Sequence, residues 1–182
     1  MDAVASVGQP APDFSLPELD GEALSLARAK GRIVVLIFWS AECPWSGRGD
    51  EALAESGLDQ ADDVLVWRVA SNVNEDGAQL RNAAEARGVA PVLVDIEHQV
   101  ADLYGALTTP HVFVVDQTGT LVYGGALNDA TWRDPEPSRT YLAEAVQAIR
   151  QGTEPELRQT PGRGCTIVRH LPGTDRSGGQ EG

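Results

Sequence analysis

Cysteine is scarce in this chain: Cys43 and Cys165 are the only two in 182 residues. That excludes a scaffold built on several disulfides and leaves redox chemistry or inert roles for the thiols. Lysine is scarcer still, with Lys30 alone, in a loop, so a Schiff-base enzyme has no well-placed amine. The three histidines, His98, His111 and His170, are scattered singly without metal-ligand spacing, and no metal site is expected. No run of about 18 apolar residues occurs, so a membrane-spanning helix and a membrane partner are not expected. Met1 to Pro12 lacks the basic patch and apolar stretch of a secretory signal, which points to a cytoplasmic location.

Positive charge is also short. Lys and Arg number 14 against 27 Asp and Glu, a formal net charge of −13. Such a surface repels phosphate backbones, so nucleic acid is not an expected partner, and the charge serves solubility.

What is present alternates between strand and helix signals. An extended, proline-punctuated opening (Val7 to Phe14) leads to strands near Phe14–Leu16 and Ala23–Leu26, joined by an Asp20-Gly21 turn. Ile33 to Trp39 is an unbroken apolar, β-branched run, the mark of a strand covered on both faces. Pro44 suits the first turn of a helix reaching about Leu58, although Gly47 and Gly49 loosen it. A second buried strand spans Val64 to Ala70, and a helix from Asp76 to Arg87 stops at Gly88. Val92–Val94 is a short strand and Val100–Tyr104 a short helix. A hairpin follows over His111–Asp116 and Thr120–Tyr123, then a helix near Arg139–Gln151. The order implies an α/β fold with a mixed sheet, its parallel core extended by an antiparallel hairpin. Residues 1–168 form one domain, and 169–182, rich in Gly, Pro and charge, read as a disordered tail.

Cys43 falls just past the C-terminal end of the first long strand and just before a helix, where open α/β sheets bind ligands. A thiol there faces unpaired N–H groups and the positive end of the helix dipole, and both favour the thiolate. The Ser46 hydroxyl is one turn along, within reach of the sulfur. The Glu42 carboxylate works against a second negative charge. Trp39 and Trp45 flank the cysteine, Trp39 as core and site wall, Trp45 as an exposed contact for a partner. Alternation along the following strand turns His111 away from the sulfur.

The stretch Phe38-Trp39-Ser40-Ala41-Glu42-Cys43-Pro44-Trp45-Ser46 resembles the active-site turn of thioredoxin-like redoxins related to the alkyl hydroperoxide reductase and thiol-specific antioxidant group. Thr109-Pro110 resembles that family's cis-proline loop, and Tyr104-Gly105-Ala106, Thr108 to Asp116 and Leu121-Val122-Tyr123 match its phrasing. The resemblance runs from about Val7 to Val168. It implies a thioredoxin fold, a Cys43 nucleophile, and Ser40, Ser46, Thr109 and Pro110 around it, with Trp39, Pro44 and Trp45 toward the substrate. No cofactor is implied. The partners implied are a thiol reductant and a disulfide or peroxide substrate, the product being a mixed disulfide or a sulfenic acid.

Departures from the family shape the mechanism. Ser46 stands where a thioredoxin motif has a second cysteine, so no local disulfide can close. Ser40 matches the hydroxyl of the peroxiredoxin turn, but Leu36 replaces its upstream proline and the peroxide-orienting arginine near Pro110 is missing. Gly164-Cys165-Thr166-Ile167-Val168 resembles a tail motif of one redoxin subgroup. Cys165 is thus a resolving thiol or an inert one. As resolving thiol it pairs with Cys43 on mild oxidation. Two readings follow: a thiol-dependent oxidoreductase or antioxidant, or a non-catalytic redox-sensing or partner-binding domain.

Overall fold

The computed structural model describes residues 4–19 and 21–170. Its centre is a five-stranded sheet in the order β5-β4-β3-β7-β8. These strands are β3 (Ile33–Trp39), β4 (Val64–Ala70), β5 (Val92–Val94), β7 (His111–Val115) and β8 (Leu121–Gly125). The first three run parallel, and β7 lies antiparallel to both β3 and β8. Two small sheets accompany it: β1 (Ser15–Pro17) with β2 (Ala23–Ser25), and β6 (Thr108–Thr109) with β9 (Cys165–Thr166). The helices are α1 (Pro44–Ser56), α2 (Gly77–Arg87), α3 (Gln99–Tyr104) and α4 (Tyr141–Arg150). The expected mixed-sheet α/β sandwich is the fold observed.

The apolar run of β3 is explained by its place. All seven residues are buried, because helices or loops cover both faces of the sheet. Val34, Leu36 and Phe38 pack with Phe14, Leu16, Tyr104 and Phe113 on one face. Ile33, Val35 and Ile37 pack with Leu53 of α1 and Leu142, Ala145 and Val146 of α4 on the other. A third cluster joins Trp39 and Ala70 to Leu80 and Ala84 of α2. The α2 boundaries follow its caps: Asp76 accepts from the Ala78 and Gln79 N–H groups, and left-handed Gly88 (φ 64°) ends the helix.

The outer edge of β8 is covered by chain that carries no strand pattern. Residues Gly8 to Ala11 hydrogen-bond to Gly119 and Leu121, and Arg158 and Thr160 bond Gly124. Covering an edge in this way removes a pairing template. The Asp20-Gly21 turn falls partly, and the tail from Leu171 wholly, outside the described residues. Arg169 and His170, assigned above to a disordered tail, are held instead. Arg169 donates to the Ala106 carbonyl (2.7 Å), and the His170 ring lies 5.8 Å from that of His98. Among the described residues no helix is long and apolar enough to cross a membrane.

Candidate active site

Strand β3 delivers Ser40 to Cys43 as a turn at the C-terminal end of the sheet. Cys43 is the N-cap of α1, Pro44 takes the first helical position, and the first turn has no acidic residue. The Cys43 carbonyl accepts from the Ser46 and Gly47 N–H groups (3.1 and 3.3 Å), which fixes the helix start under the thiol. Cys43 itself is only 2% exposed.

Two strands come from the other side. Thr109 and Pro110 are buried, the Thr109–Pro110 peptide is cis, and the Thr109 carbonyl accepts from the Cys43 thiol at 2.9 Å. The pairing of β6 with β9 puts Cys165 opposite Thr109, so a thiol 122 positions away stands against Cys43. Both cysteines are free. The Thr109 hydroxyl has no conventional partner.

Burial pushes the Cys43 thiol up, but hydrogen bonds from the Cys165 thiol, the Thr109 side chain and the backbone N–H of Ser46 outweigh it, leaving the group below the ordinary thiol value. For Cys165 the balance is reversed. Burial, the Cys43 sulfur and the charges of Cys43 and Glu75 all act in one direction, and its thiol is pushed up to about 12. The two thiols are thus shifted in opposite directions, Cys43 toward the thiolate and Cys165 toward the protonated form.

Several expected roles change. The Ser40 hydroxyl does not reach the sulfur: it accepts from the N–H groups of Cys43 (3.0 Å) and Glu42 (3.2 Å) and donates to Glu75. The Ser46 hydroxyl accepts from the Ser40 N–H (3.2 Å), so Ser46 serves the thiolate through its backbone rather than its side chain. Both serines brace the turn because their short side chains find backbone donors closer than the sulfur. Trp39 is wholly buried and donates to Asp50 (2.8 Å), so it is wall only and cannot touch a substrate. Trp45 is half-buried rather than exposed, its ring centroid 4.6 Å from that of Trp132, which is 72% exposed. Glu42 turns away to Asn74 and Gln79. Pro44 is exposed beside the thiol, and His111 faces away, its Nδ1 accepting from the Leu107 N–H.

Sequence reasoning misses the charged frame beneath the turn. Glu75, buried, accepts from the Ala41 and Glu42 N–H groups as well as from Ser40. Arg87 donates to the Ser40 and Ala41 carbonyls (3.1 and 2.6 Å) and lies over the Trp39 ring. Arg68, fully buried on β4, bonds Asp50 of α1 and makes a two-point contact with Asp59. The only available signal was a charge interrupting an apolar strand run at Arg68. Its partners lie 18 and 9 positions away with no motif to join them. Among the described residues no group of His, Cys, Asp and Glu could hold a metal.

The model of the AhpC/TSA family matches residues 7–124. A thioredoxin-like protein, YneN of Bacillus subtilis, is 33% identical over 116 residues, covering 63% of this chain and 68% of that protein. The thiol-disulfide oxidoreductase ResA of Geobacillus thermodenitrificans is 32% identical over 116 residues, covering 63% and 66%. The chain thus spans about two thirds of these relatives' length. Among solved structures, a hypothetical protein from Sinorhizobium meliloti superimposes with a TM-score of 0.79 at 30% identity, covering 92% of this chain and 97% of that one.

Proposed function

The chain belongs to the AhpC/TSA family and is a thiol-dependent oxidoreductase, and from that premise we propose that it exchanges disulfides, with Cys43 and Cys165 as its redox pair. The observation that carries this reading is the pairing of β6 with β9, which sets Cys165 opposite the residue whose carbonyl holds the Cys43 thiol, the two thiols being shifted in opposite directions. The Cys43 thiolate attacks one sulfur of a disulfide substrate. The substrate's S–S bond breaks, and one half leaves as thiolate while the other stays on Cys43 as a mixed disulfide. Cys165, losing its proton as it attacks the Cys43 sulfur, expels the second half as thiol and closes the internal disulfide. Substrate disulfide is reduced by two electrons and the cysteine pair is oxidised by two. An external thiol reductant resets it.

Disulfides suit the site better than peroxides. Among the described hydrogen bonds none joins a guanidinium to the Cys43 sulfur, and Arg87 is committed to the carbonyls of the turn. The names of the relatives support the same substrate class. A cytoplasmic setting, where a reducing thiol pool can return the pair to its dithiol form, belongs to the same proposal.

Intact-mass analysis after oxidised glutathione tests the pair. Wild type is expected to lose two hydrogens without an adduct, whereas Cys165→Ser retains one glutathione on Cys43. A stable adduct on wild type would show that Cys165 does not resolve. Consumption of a thiol reductant in repeated turnover separates this enzyme from a redox-sensing domain, which oxidises once and stops.

A further inference from the structure

The C-terminal segment is built to lie across Cys43. After α4 the chain returns along β8, where the Thr160 hydroxyl accepts from the Ala126 N–H (2.9 Å) and pairs with Tyr123 (2.7 Å). It then crosses to β6, pairing Cys165 with Thr109 and Thr166 with Thr108. Beyond that crossing, the Ile167 N–H bonds the Leu107 carbonyl (3.0 Å), and its side chain is buried in the core. The Val168 N–H bonds Asn72 (2.8 Å). Both ends are anchored, and the middle passes over the thiol.

Two glycines make the close passage possible. At Gly164 (φ 152°) a Cβ would stand 2.0 Å from the Thr109 carbonyl oxygen and 2.9 Å from the Pro110 nitrogen. At Gly162 it would stand 2.8 Å from the Thr108 hydroxyl and 3.2 Å from His111. At Gly164 backbone lies on backbone because no side chain intervenes, and at Gly162 the strap lies against the Thr108 and His111 side chains. The outcome is unequal access: Cys43 is covered, whereas Cys165, one position along from Gly164, stays partly exposed.

We propose that the segment from Pro161 to Val168 is a strap that covers Cys43 and presents Cys165 in its place, so that a reducing thiol enters the oxidised enzyme at Cys165. This rests on the redox pair proposed above. The external thiolate bonds to the Cys165 sulfur, the Cys43–Cys165 bond breaks, and Cys43 leaves as thiolate. A second reducing thiol, losing its proton, then attacks the sulfur bound to Cys165. The mixed disulfide breaks, Cys165 takes up that proton, and the reductant departs as disulfide, two electrons having passed to the enzyme. Chemistry and access agree, since the sulfur that holds negative charge more readily is the better leaving group. The other consequence concerns the oxidant. A small disulfide can slip past the strap to Cys43, whereas a polypeptide needs the strap to lift.

Two experiments decide it. Oxidised wild type is mixed briefly with glutathione, quenched in acid and mapped by mass spectrometry. The expected adduct is on Cys165 with Cys43 free, and a predominant Cys43 adduct overturns the proposal. Failure to form any internal disulfide would refute the redox pair instead, and the second experiment reads the strap without it. In Cys165→Ala protein, Cys43 is labelled by N-ethylmaleimide and by a maleimide carrying a long polyethylene glycol chain. Adding Gly164→Ala should raise the bulky-to-small rate ratio about tenfold by favouring local opening. Asn72→Ala, which frees the Val168 N–H without crowding the strap, should raise it in the same direction. A ratio unchanged in both variants overturns the strap.

Discussion

Cys43 is acidified by donors rather than by cations. The Cys165 thiol, the Thr109 side chain and the Ser46 N–H converge on a sulfur that burial alone would keep protonated. In wild type, the midpoint of Cys43 alkylation by iodoacetamide against pH should lie below the ordinary thiol value of about 8.5. Cys165 should label last. Cys165→Ala removes the leading donor, so the Cys43 midpoint should rise. Faster labelling of Cys165 in the folded protein would reverse the assignment. His111 titrates in the opposite setting. Burial lowers it to about 4, so from roughly pH 6.5 down to that value the unfolded chain binds a proton that the folded one refuses. Stability should therefore fall with acid across this window. Thermal unfolding should show a shallower acid slope in His111→Leu, and parallel slopes would remove His111 from the account.

Elements announce themselves when their cause is local. Strand β3 was readable because burial on both faces demands one apolar run, and α2 because Asp76, Gln79 and Gly88 sit beside the backbone groups they cap. Pro44 likewise marked the start of α1 and placed Cys43 at its N-terminus. The two-residue strands β6 and β9 have no period to detect, and their pairing joins Thr108 to Thr166 and Thr109 to Cys165, far apart in sequence. Glu75, Arg87 and Arg68 were equally hidden, because each acts on an element remote in sequence. Ser40 and Ser46 lie in the Cys43 turn and bond its backbone rather than the sulfur, since a hydroxyl's nearest partner depends on how the turn closes. Arg68 shows how much such a contact carries. It ties β4 to α1 through Asp50, which is itself buried. Arg68→Met should destabilise the protein in urea unfolding by about 1–3 kcal/mol, because Asp50 loses one charged partner while keeping the Trp39 N–H and Arg87. The double variant with Asp50→Asn should lose less than the sum of the singles. Strict additivity would mean the two side chains do not act as a pair.

At the scale of the whole molecule the chain closes on itself, residues 8–11 and 158–160 sharing the outer edge of β8 while β9 seals the site. Redox state and global stability are therefore coupled. A Cys43–Cys165 bond joins the first turn of α1 to the last strand and closes a loop of 122 positions. In the chain-entropy account a loop near this size restricts the unfolded ensemble by up to about 5 kcal/mol, less any strain. For a chain of this length each kcal/mol shifts the unfolding midpoint by about 2–4 °C. Oxidised protein should thus unfold at a higher temperature than reduced protein, by up to roughly 10–20 °C, and should migrate faster on a non-reducing gel because its unfolded form stays looped. Cys165→Ser should show neither difference under the same oxidant. Reduced and Cys165→Ser proteins should unfold at similar temperatures, because the strap remains anchored by Ile167 and Thr160 whether or not the thiol is present. If oxidation instead gives only linked dimers, with no gain in the midpoint of the monomer, Cys165 does not reach Cys43 within one chain and the resolving thiol must come from outside.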